Sequence, residues 1–374
     1  MLERDAEKND GALKRQSSYF VFYVLLFICV SQSGIAKYFV LSALTVFFFV
    51  MRPVPVKYFL VILHSMVYVI VGVATACVKG NFVYESIKQI LIYMSCGFFA
   101  IGVFSFYGKK QSEELIDCQF FGLLAAYVIM FAKYFTPEEF FYESSLYAYI
   151  FGAYALLYFY RGSYFKMLLA VVFMIFDHKR ITDAATVFCV LCLILIWFCG
   201  KIRLRRIINF AGCIVLAVFP LVWIYLCRAG IAERIFDALN INTMGRVNMW
   251  RKMNDYYVFS PGFTGWGIGW VLEWLKNANI PSFSNLHNDF LMAYIELGFW
   301  GYVLWILSFV LIVALVKKES VKKANFIMLL FGYAFINFLT DNIYLYVSFL
   351  TPLYTICLDV IYGENENPTY EKLY

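Results

Sequence analysis

Apolar stretches of about twenty residues recur along almost the whole 374-residue chain, and they restrict its fold more than any other feature. The sequence is 63% hydrophobic and only 15% charged, whereas soluble domains carry about 45–50% apolar and about 25% charged residues. A helix of about 20 apolar residues is long enough to cross the hydrocarbon core of a bilayer. We therefore predict an all-α, polytopic membrane protein that forms a single integral membrane domain over residues 1–374.

About twelve transmembrane helices are predicted from these stretches. A removable signal peptide is not indicated, because the first 17 residues are charged and the first apolar segment is followed directly by others. The segments within 146–176 are short, so their boundaries are loosely defined. The twelve segments cover residues 18–34, 37–51, 57–77, 89–106, 115–132, 146–160, 164–176, 183–199, 207–227, 286–315, 324–340 and 343–361.

The distribution of Lys and Arg predicts the orientation of the chain. With the N-terminus inside, 19 basic residues fall on the inner side, 6 fall in the short outer connections and 6 fall in one long loop. Because cytoplasmic loops are enriched in Lys and Arg, we expect both termini to be cytoplasmic. Residues 228–285 are then a large outer loop, and the polar residues 362–374 are a disordered cytoplasmic tail. The net charge of +6 reflects this asymmetry and does not indicate a nucleic-acid partner.

The ten cysteines favour neither a disulfide framework nor a metal site. All lie within or at the ends of apolar segments, and the 228–285 loop contains none. Cys189 and Cys192 form a CxxC pair inside an apolar run, where packing is the favoured role. No carboxylate cluster points to an obligatory metal either, so we predict no metal and no cofactor.

The candidate chemistry lies between Gly245 and Gly301, which contains the motifs GRVNMW, PGFTGWGIGW, SNLHNDFL and ELGFWG. His287 follows Ser284 and Asn285, which are good capping residues, so we expect it in the first turn of a membrane helix. There the helix dipole disfavours the imidazolium and keeps the ring in the neutral form that a general base needs. The alternative is a histidine at the membrane rim that hydrogen-bonds a lipid headgroup.

Two basic sites on the outer side are candidates for binding an anion. Arg246 presents a planar fork of donors that suits phosphate oxygens, although a solvated loop cation is the alternative. Lys179 and Arg180 begin the eighth apolar segment on the side where basic residues are scarce. A charge at that position is either functional or a snorkelling residue that marks the membrane edge.

The glycine-rich segment does not follow a strand of a βαβ unit, so its GxGxG spacing does not indicate a nucleotide site. Gly267 and the neighbouring glycines are expected to let a tight loop fold back onto the bilayer, with Trp266 and Trp270 as interfacial anchors. Their rings could also stack on sugars. Glu296 is expected at membrane depth, about two and a half turns inward from His287, as a paired structural acid or as part of a cavity.

The order of these motifs resembles the C-terminal signature region of the O-antigen ligase and Wzy-type polysaccharide polymerase superfamily. About 60 residues match closely, and the N-terminal half matches only as a hydropathy pattern. The resemblance implies a GT-C-like glycosyltransferase of the bacterial inner membrane whose active site faces the periplasm. Its partners would be a donor and an acceptor glycan linked to undecaprenyl diphosphate, the membrane lipids, and a chain-length regulator as a candidate protein partner.

The resemblance also implies residue roles. His287, followed by Asn288, matches the proposed base of the family, and Arg246 matches a diphosphate-binding arginine by its motif. Arg180 matches a second such arginine only by position, because His178-Lys179-Arg180 replaces the usual Ser-Arg context. The supporting residues expected around them are Lys179, Asn288, Trp250, Gly267 and Glu296.

We favour a polymerase that extends O-antigen or capsule on its lipid carrier. A ligase that transfers finished polymer to lipid A core or to protein is the nearest alternative. A flippase or transporter would carry ionisable residues at mid-membrane positions in both halves of the chain, and here they are concentrated in one outer loop.

Overall fold

The computed structural model of the protein describes residues 23, 36–134, 146–177, 179–198, 201–238, 240, 243, 245–278 and 285–364. These residues form helices and connecting turns, without a strand. The α-helices are α1 (Ala36–Met51), α2 (Leu63–Lys79), α3 (Tyr84–Tyr107), α4 (Ser112–Tyr134), α5 (Ala148–Arg161), α6 (Tyr164–Phe176), α7 (Arg180–Phe198), α8 (Ile202–Arg228), α9 (Ile231–Ala238), α10 (Arg246–Met253), α11 (Trp270–Asn277), α12 (Asp289–Glu319), α13 (Val321–Phe338) and α14 (Val347–Tyr362). Short 3₁₀ turns are Val56–Ile62, Lys109–Gln111, Asn254–Tyr256 and Ile343–Leu345.

The prediction of an all-α, multi-pass membrane protein is confirmed. Eleven of the twelve predicted apolar segments coincide with helices. The first, 18–34, lies outside the described residues except for Tyr23, as do His178 and most of the C-terminal tail. The count of twelve crossings and the GT-C-like architecture remain predictions. Among the described residues, five helices are long and apolar enough to cross a membrane: Val56–Lys79, Tyr84–Tyr107, Arg180–Phe198, Ile202–Arg228 and Asp289–Glu319.

The outward surface of α7 shows why these helices suit a lipid environment. Val187, Leu191 and Leu195 are each more than half exposed, while Thr182 and Cys189 of the same helix are buried. Burial of these outward side chains in lipid removes the cost of exposing them to water.

The chain divides into two compact units. The first comprises residues 1–58, 98–179 and 347–374. Within it α5 packs on α6 and α14 packs on α5 and α4. Arg161 of α5 forms a buried ion pair with Asp359 of α14, and Gln119 of α4 hydrogen-bonds both Tyr154 and Thr355. Pairing of these polar groups offsets the cost of burying them.

The second unit comprises residues 59–97 and 180–346, and it contains every motif between Gly245 and Gly301. Its centre is α12, which packs against α2, α8 and α13. The junction between α12 and α13 is set by Ser320, whose side chain accepts a hydrogen bond from the backbone N–H of Lys323 and so caps α13.

Helix α12 reverses direction at Gly298. Its backbone there has φ 72° and ψ 178°, a region that is essentially restricted to glycine. In a continuous helix, Phe290 and Trp305 would lie about 22 Å apart along the axis, yet their ring centroids are 6.3 Å apart. Tyr294 and Tyr302 are likewise 5.4 Å apart. The predicted apolar segment 286–315 is therefore not one continuous helix: residues 289–297 form a short first arm that folds back on the longer second arm, 299–319.

The glycine-rich loop binds the backbone groups that this reversal exposes. The N–H groups of Trp266 and Gly267 donate to the carbonyls of Ile295 and Glu296 at the end of the first arm. The N–H of Phe299, at the start of the second arm, donates to the carbonyl of Phe263 at 2.8 Å. Helix ends buried without such partners would be strongly destabilised in an apolar environment. The loop therefore caps both arms of α12.

We predict that Gly298→Ala destabilises this unit. A Cβ at position 298 would lie 2.3 Å from the carbonyl carbon of Thr264, and the backbone strain alone costs about 1–3 kcal/mol. The melting temperature of the purified protein in detergent should fall, as measured by intrinsic fluorescence. Gly332→Ala is the matched control, because a Cβ at Gly332 in α13 meets no atom within 4 Å. Equal melting temperatures for the two variants would contradict the reversal.

Candidate functional site

The His287-Asn288-Asp289 motif is held by a second polar segment, Asp341-Asn342, which follows α13. The side-chain oxygen of Asn342 accepts the backbone N–H of His287, and its amide group donates to Asp289 at 3.1 Å. The other carboxylate oxygen of Asp289 accepts the backbone N–H of Tyr344 at 2.9 Å. Because Asp289 and Asn342 are fully buried, these bonds fix the motif rigidly between α12 and the 341–346 segment.

The imidazole of His287 is directed towards the carboxylate of Asp341. Nδ1 of His287 and Oδ1 of Asp341 are 3.2 Å apart, and the two side chains are 24% and 3% exposed, respectively. A carboxylate only accepts hydrogen bonds, so Nδ1 carries the proton and Nε2 is the basic nitrogen. The same oxygen of Asp341 also accepts from Tyr346 Oη at 2.7 Å and from the N–H of Asn342 at 2.8 Å. This arrangement is that of a base with its orienting acid.

The expectation that His287 lies in the first turn of a helix is wrong. Helix α12 begins at Asp289, and Asn288 is its N-cap, with a side-chain oxygen that accepts the N–H of Leu291 at 3.0 Å. His287 precedes the cap with φ 53°, a left-handed conformation that histidine adopts more readily than most residues. The capping side chain is therefore Asn288, and the carboxylate of Asp341, not the helix end, provides the immediate contact of the ring.

Arg246 begins α10, a helix joined directly to the motif. The indole N–H of Trp250, one turn further along, donates to the carbonyl of Leu286 at 3.0 Å. The half-buried Arg246 therefore lies at the start of a helix that is hydrogen-bonded to the residue preceding His287.

Arg180 begins α7 at the same end of the unit. Two residues further on, Thr182 Oγ1 donates to Asn337 Oδ1 at 2.8 Å, and the carbonyl of Asn337 accepts the N–H of Asp341 at 3.2 Å. The first turn of α7, which carries the exposed Arg180, is thus hydrogen-bonded to the end of α13 that precedes Asp341. Lys179 belongs to the first unit, where its buried side chain places the amine 5.8 Å from the ring centre of Tyr149.

Gly267 and Glu296 have structural contacts in place of contacts with His287. A Cβ at Gly267 would lie 2.3 Å from Cα of Ala76, so a glycine is needed for the loop to pack on α2. The carboxylate of Glu296 accepts hydrogen bonds from Tyr68 at 2.8 Å and from the backbone N–H groups of Gly269 and Val271 at 3.1 and 3.3 Å. Of the two roles expected for Glu296, the paired structural acid is the observed one. The loop packs on α2 and is hydrogen-bonded to α12.

Sequence reasoning missed Asp341, Asn342 and Arg228. Asp341 and Asn342 form the entire connection between the apolar segments 324–340 and 343–361, on the side predicted to be outer. Two polar residues alone between two apolar segments were the signal that could have identified them. Arg228 ends α8 with its guanidinium 5.8 Å from the ring centre of Tyr257. The preceding Cys227 contacts the side chain of Asn288, with Nδ2 and Sγ 3.9 Å apart. Arg228 is therefore an exposed arginine at the end of a helix that contacts the motif, and no pattern in the sequence distinguished it.

The region that contains these residues is similar to a known protein family. Residues 165–306 match the family model Wzy_C, described as O-antigen ligase. The resemblance to the O-antigen ligase and Wzy-type superfamily is confirmed. The Wzy_C match extends from α6 to the second arm of α12 and includes Arg180, Arg246 and His287. It indicates an enzyme of the O-antigen ligase or polymerase type that acts in polysaccharide assembly. No curated protein and no solved structure matches the chain.

We predict that Asp341→Asn lowers turnover by roughly 10²–10⁴-fold. An asparagine amide in this position can donate to Nδ1, and the imidazole proton would then move to Nε2, where it blocks proton acceptance. Asn retains the size of Asp, but an amide that donates to Nδ1 from the position of Oδ1 cannot also accept from Tyr346 and Asn342 there, so a lower melting temperature should accompany the loss of turnover. Transfer assays with purified protein should show kcat reduced and KM for the lipid-linked donor little changed. A variant with wild-type kcat would exclude an orienting role for Asp341.

Proposed function

We propose that the protein is a polymerase that joins oligosaccharide repeat units carried on undecaprenyl diphosphate into a surface polysaccharide. The observation that carries the proposal is the His287–Asp341 pair, in which Nδ1 and Oδ1 are 3.2 Å apart. Arg180 and Arg246 begin α7 and α10 in the region matched by Wzy_C. A base beside several guanidinium groups suits the transfer of a sugar from a diphosphate to a hydroxyl group. The active site would face the periplasm, with both termini in the cytoplasm.

The chemical step is a single displacement at the anomeric carbon of the donor. The acceptor hydroxyl oxygen forms the new bond to this carbon while the bond to the diphosphate oxygen breaks, which inverts the configuration. Nε2 of His287 takes the hydroxyl proton and later releases it to solvent. Asp341 keeps the ring in the required tautomer and stabilises the imidazolium that forms.

The arginines act on the leaving group. Negative charge increases on the diphosphate as the bond to the sugar breaks, and guanidinium groups already held in place stabilise that charge without reorganisation. Arg246 is assigned this role by its place at the start of α10, which Trp250 links to Leu286 next to His287. Arg180 is assigned it by its place two residues before Thr182, which hydrogen-bonds Asn337. Because diphosphate is a good leaving group once its charge is balanced, no general acid is needed.

A ligase that transfers finished polymer to lipid A core or to a protein is the second candidate. The observation in its favour is the description of the matching family model, O-antigen ligase. The donor side of the site would be the same in both reactions, so the acceptor distinguishes them.

The proposal is tested by complementing a deletion strain with wild type or with His287→Ala and separating lipid-linked glycans by length. For a polymerase, loss of the base should reduce the rate by roughly 10²–10⁴-fold and leave single repeat units on the carrier. For a ligase, full-length polymer would remain on the carrier. Wild-type chain lengths and rate in His287→Ala would exclude His287 as the base.

Two arginine variants provide the matched comparison in the same assay. Arg246→Ala should lower turnover by about 10²–10³-fold, the usual effect of removing one preorganised charge-stabilising donor. Arg234→Ala removes an exposed arginine on α9 that donates to the carbonyls of Ala229 and Gly230 in the adjacent turn, and it should behave as wild type. Equal losses in both variants would indicate a general effect of loop charge.

We also expect activity to be independent of divalent metal ions, because the guanidinium groups supply the charge that a cation would otherwise provide. Purified protein treated with EDTA and then exchanged into metal-free buffer should keep its wild-type transfer rate. Loss of transfer with EDTA and its return with Mg²⁺ or Mn²⁺ would refute this part of the mechanism.

A further inference from the structure

We propose that the outward face of α11 together with Tyr256 and Trp266, here named the aromatic platform, binds sugar residues of the glycan at a distance from the reacting centre. The inference rests on the proposed function, since it assigns a glycan subsite to the same enzyme. The members of the platform are Tyr256, Trp266, Trp270, Glu273, Trp274 and Asn277.

The platform follows from the periodicity of α11. Val271, Leu272 and Leu275 are buried on one side of this helix. Positions i, i+3, i+4 and i+7 lie along the opposite side, and here they are Trp270, Glu273, Trp274 and Asn277. The two tryptophans are half-buried, and Asn277 Nδ2 donates to Glu273 Oε1 at 3.1 Å. Two indoles and two polar side chains therefore share one stripe.

The rings of the platform are arranged by the preceding loop. Trp266 stacks on Trp270 with ring centroids 5.0 Å apart and planes at 18°. Tyr256 contacts both Trp270 and Trp274, at 5.4 and 5.2 Å, and its carbonyl accepts the indole N–H of Trp266. Lys79 places its amine 6.0 Å from the ring of Trp266. These contacts leave the four aromatic rings ordered while part of each stays exposed.

The platform is connected rigidly to the catalytic motif. The carboxylate of Glu296 accepts the N–H groups of Gly269 and Val271 at the start of α11, and Glu296 lies on the first arm of α12, which begins at Asp289. Seven residues of helix separate Asp289 from Glu296, or about 10 Å. A glycan whose reacting sugar is at His287 would therefore meet the platform with sugars further along the chain.

The mixture of side chains favours a glycan as the occupant over the membrane interface. A sugar presents an apolar C–H face to an aromatic ring and hydroxyl groups to carboxylates and amides at its edge. Trp270 and Trp274 offer the faces, and Glu273 and Asn277 offer the hydrogen-bonding groups. A surface in the hydrocarbon would not place the Glu273 carboxylate between two tryptophans, because a charge whose partner is the neutral amide of Asn277 is costly to bury there.

The test compares three double variants in lipid nanodiscs, using the reducing oligosaccharides that mild acid releases from the cell's own lipid-linked intermediates as the probe. We expect Trp270→Ala with Trp274→Ala to weaken binding about tenfold or more by isothermal titration. Phe at both positions should retain most of the affinity, and Leu at both should lose it as Ala does. Full affinity in the Leu pair would overturn the proposal and indicate an apolar membrane contact.

Two further variants test whether misfolding, and not loss of the platform, causes a reduced affinity. Glu273→Gln changes the edge of the platform and leaves its rings, and it should also reduce the affinity for the longer oligosaccharides. Trp300→Ala removes a tryptophan that is 63% exposed on the second arm of α12, and it should bind as wild type. Unchanged affinity in both Glu273→Gln and the Ala pair would overturn the proposal.

Titration in the His287→Ala background separates this subsite from the proposed reaction. If the subsite exists, the platform variants weaken oligosaccharide binding there although no transfer occurs. If His287→Ala transfers glycan at the wild-type rate, the proposed catalytic base is wrong, while the binding comparison still decides the platform.

Discussion

The backbone hydrogen bonds between the 263–267 loop and the two arms of α12 are the constraint on which the rest of this unit depends. Reversal at Gly298 ends one helix and starts another within an apolar environment, and the exposed carbonyl and N–H groups have no water to bind. The loop supplies partners to Ile295, Glu296 and Phe299. Without these hydrogen bonds the folded-back position of the first arm would not be stabilised. The His287-Asn288-Asp289 motif at the start of that arm would then not be held against the 341–346 segment.

Acidic side chains in this unit perform two different tasks. Glu296 and Asp289 are fully buried, and both accept hydrogen bonds from backbone N–H groups. Glu296 accepts from Gly269 and Val271, and Asp289 accepts from Tyr344. Both therefore fix the path of the chain. Asp341, in contrast, contacts the partly exposed imidazole ring of His287. Glu296 was the acid that the sequence analysis placed at membrane depth, but its bonds to the backbone give it a structural role. The partner of His287 is therefore a different acid, Asp341.

The sequence predicted the helices well and their connections poorly. Hydropathy located eleven helices, because lipid imposes a length and a composition that a single sequence shows directly. The same reasoning assigned 286–315 to one span, since an apolar pattern continues through Gly298 and carries no sign of a reversal. His287, Arg246 and Arg180 were selected by charge and motif, and the structure brings them to one end of the second unit. Asp341 was overlooked, because its relation to His287 crosses 54 positions of the chain.

The sequence by itself determined that the chain is helical, that it crosses a membrane several times, and that its reactive residue types are concentrated around one loop. These properties depend on local composition and on periodicity, which are written in consecutive residues. Only the tertiary structure decided which acid faces His287, that Gly298 turns α12 back, and that the tryptophans of α11 share a face with Glu273. Those outcomes depend on which backbone groups, distant in the chain, form hydrogen bonds with one another when water is excluded. No single stretch of sequence encodes that pairing.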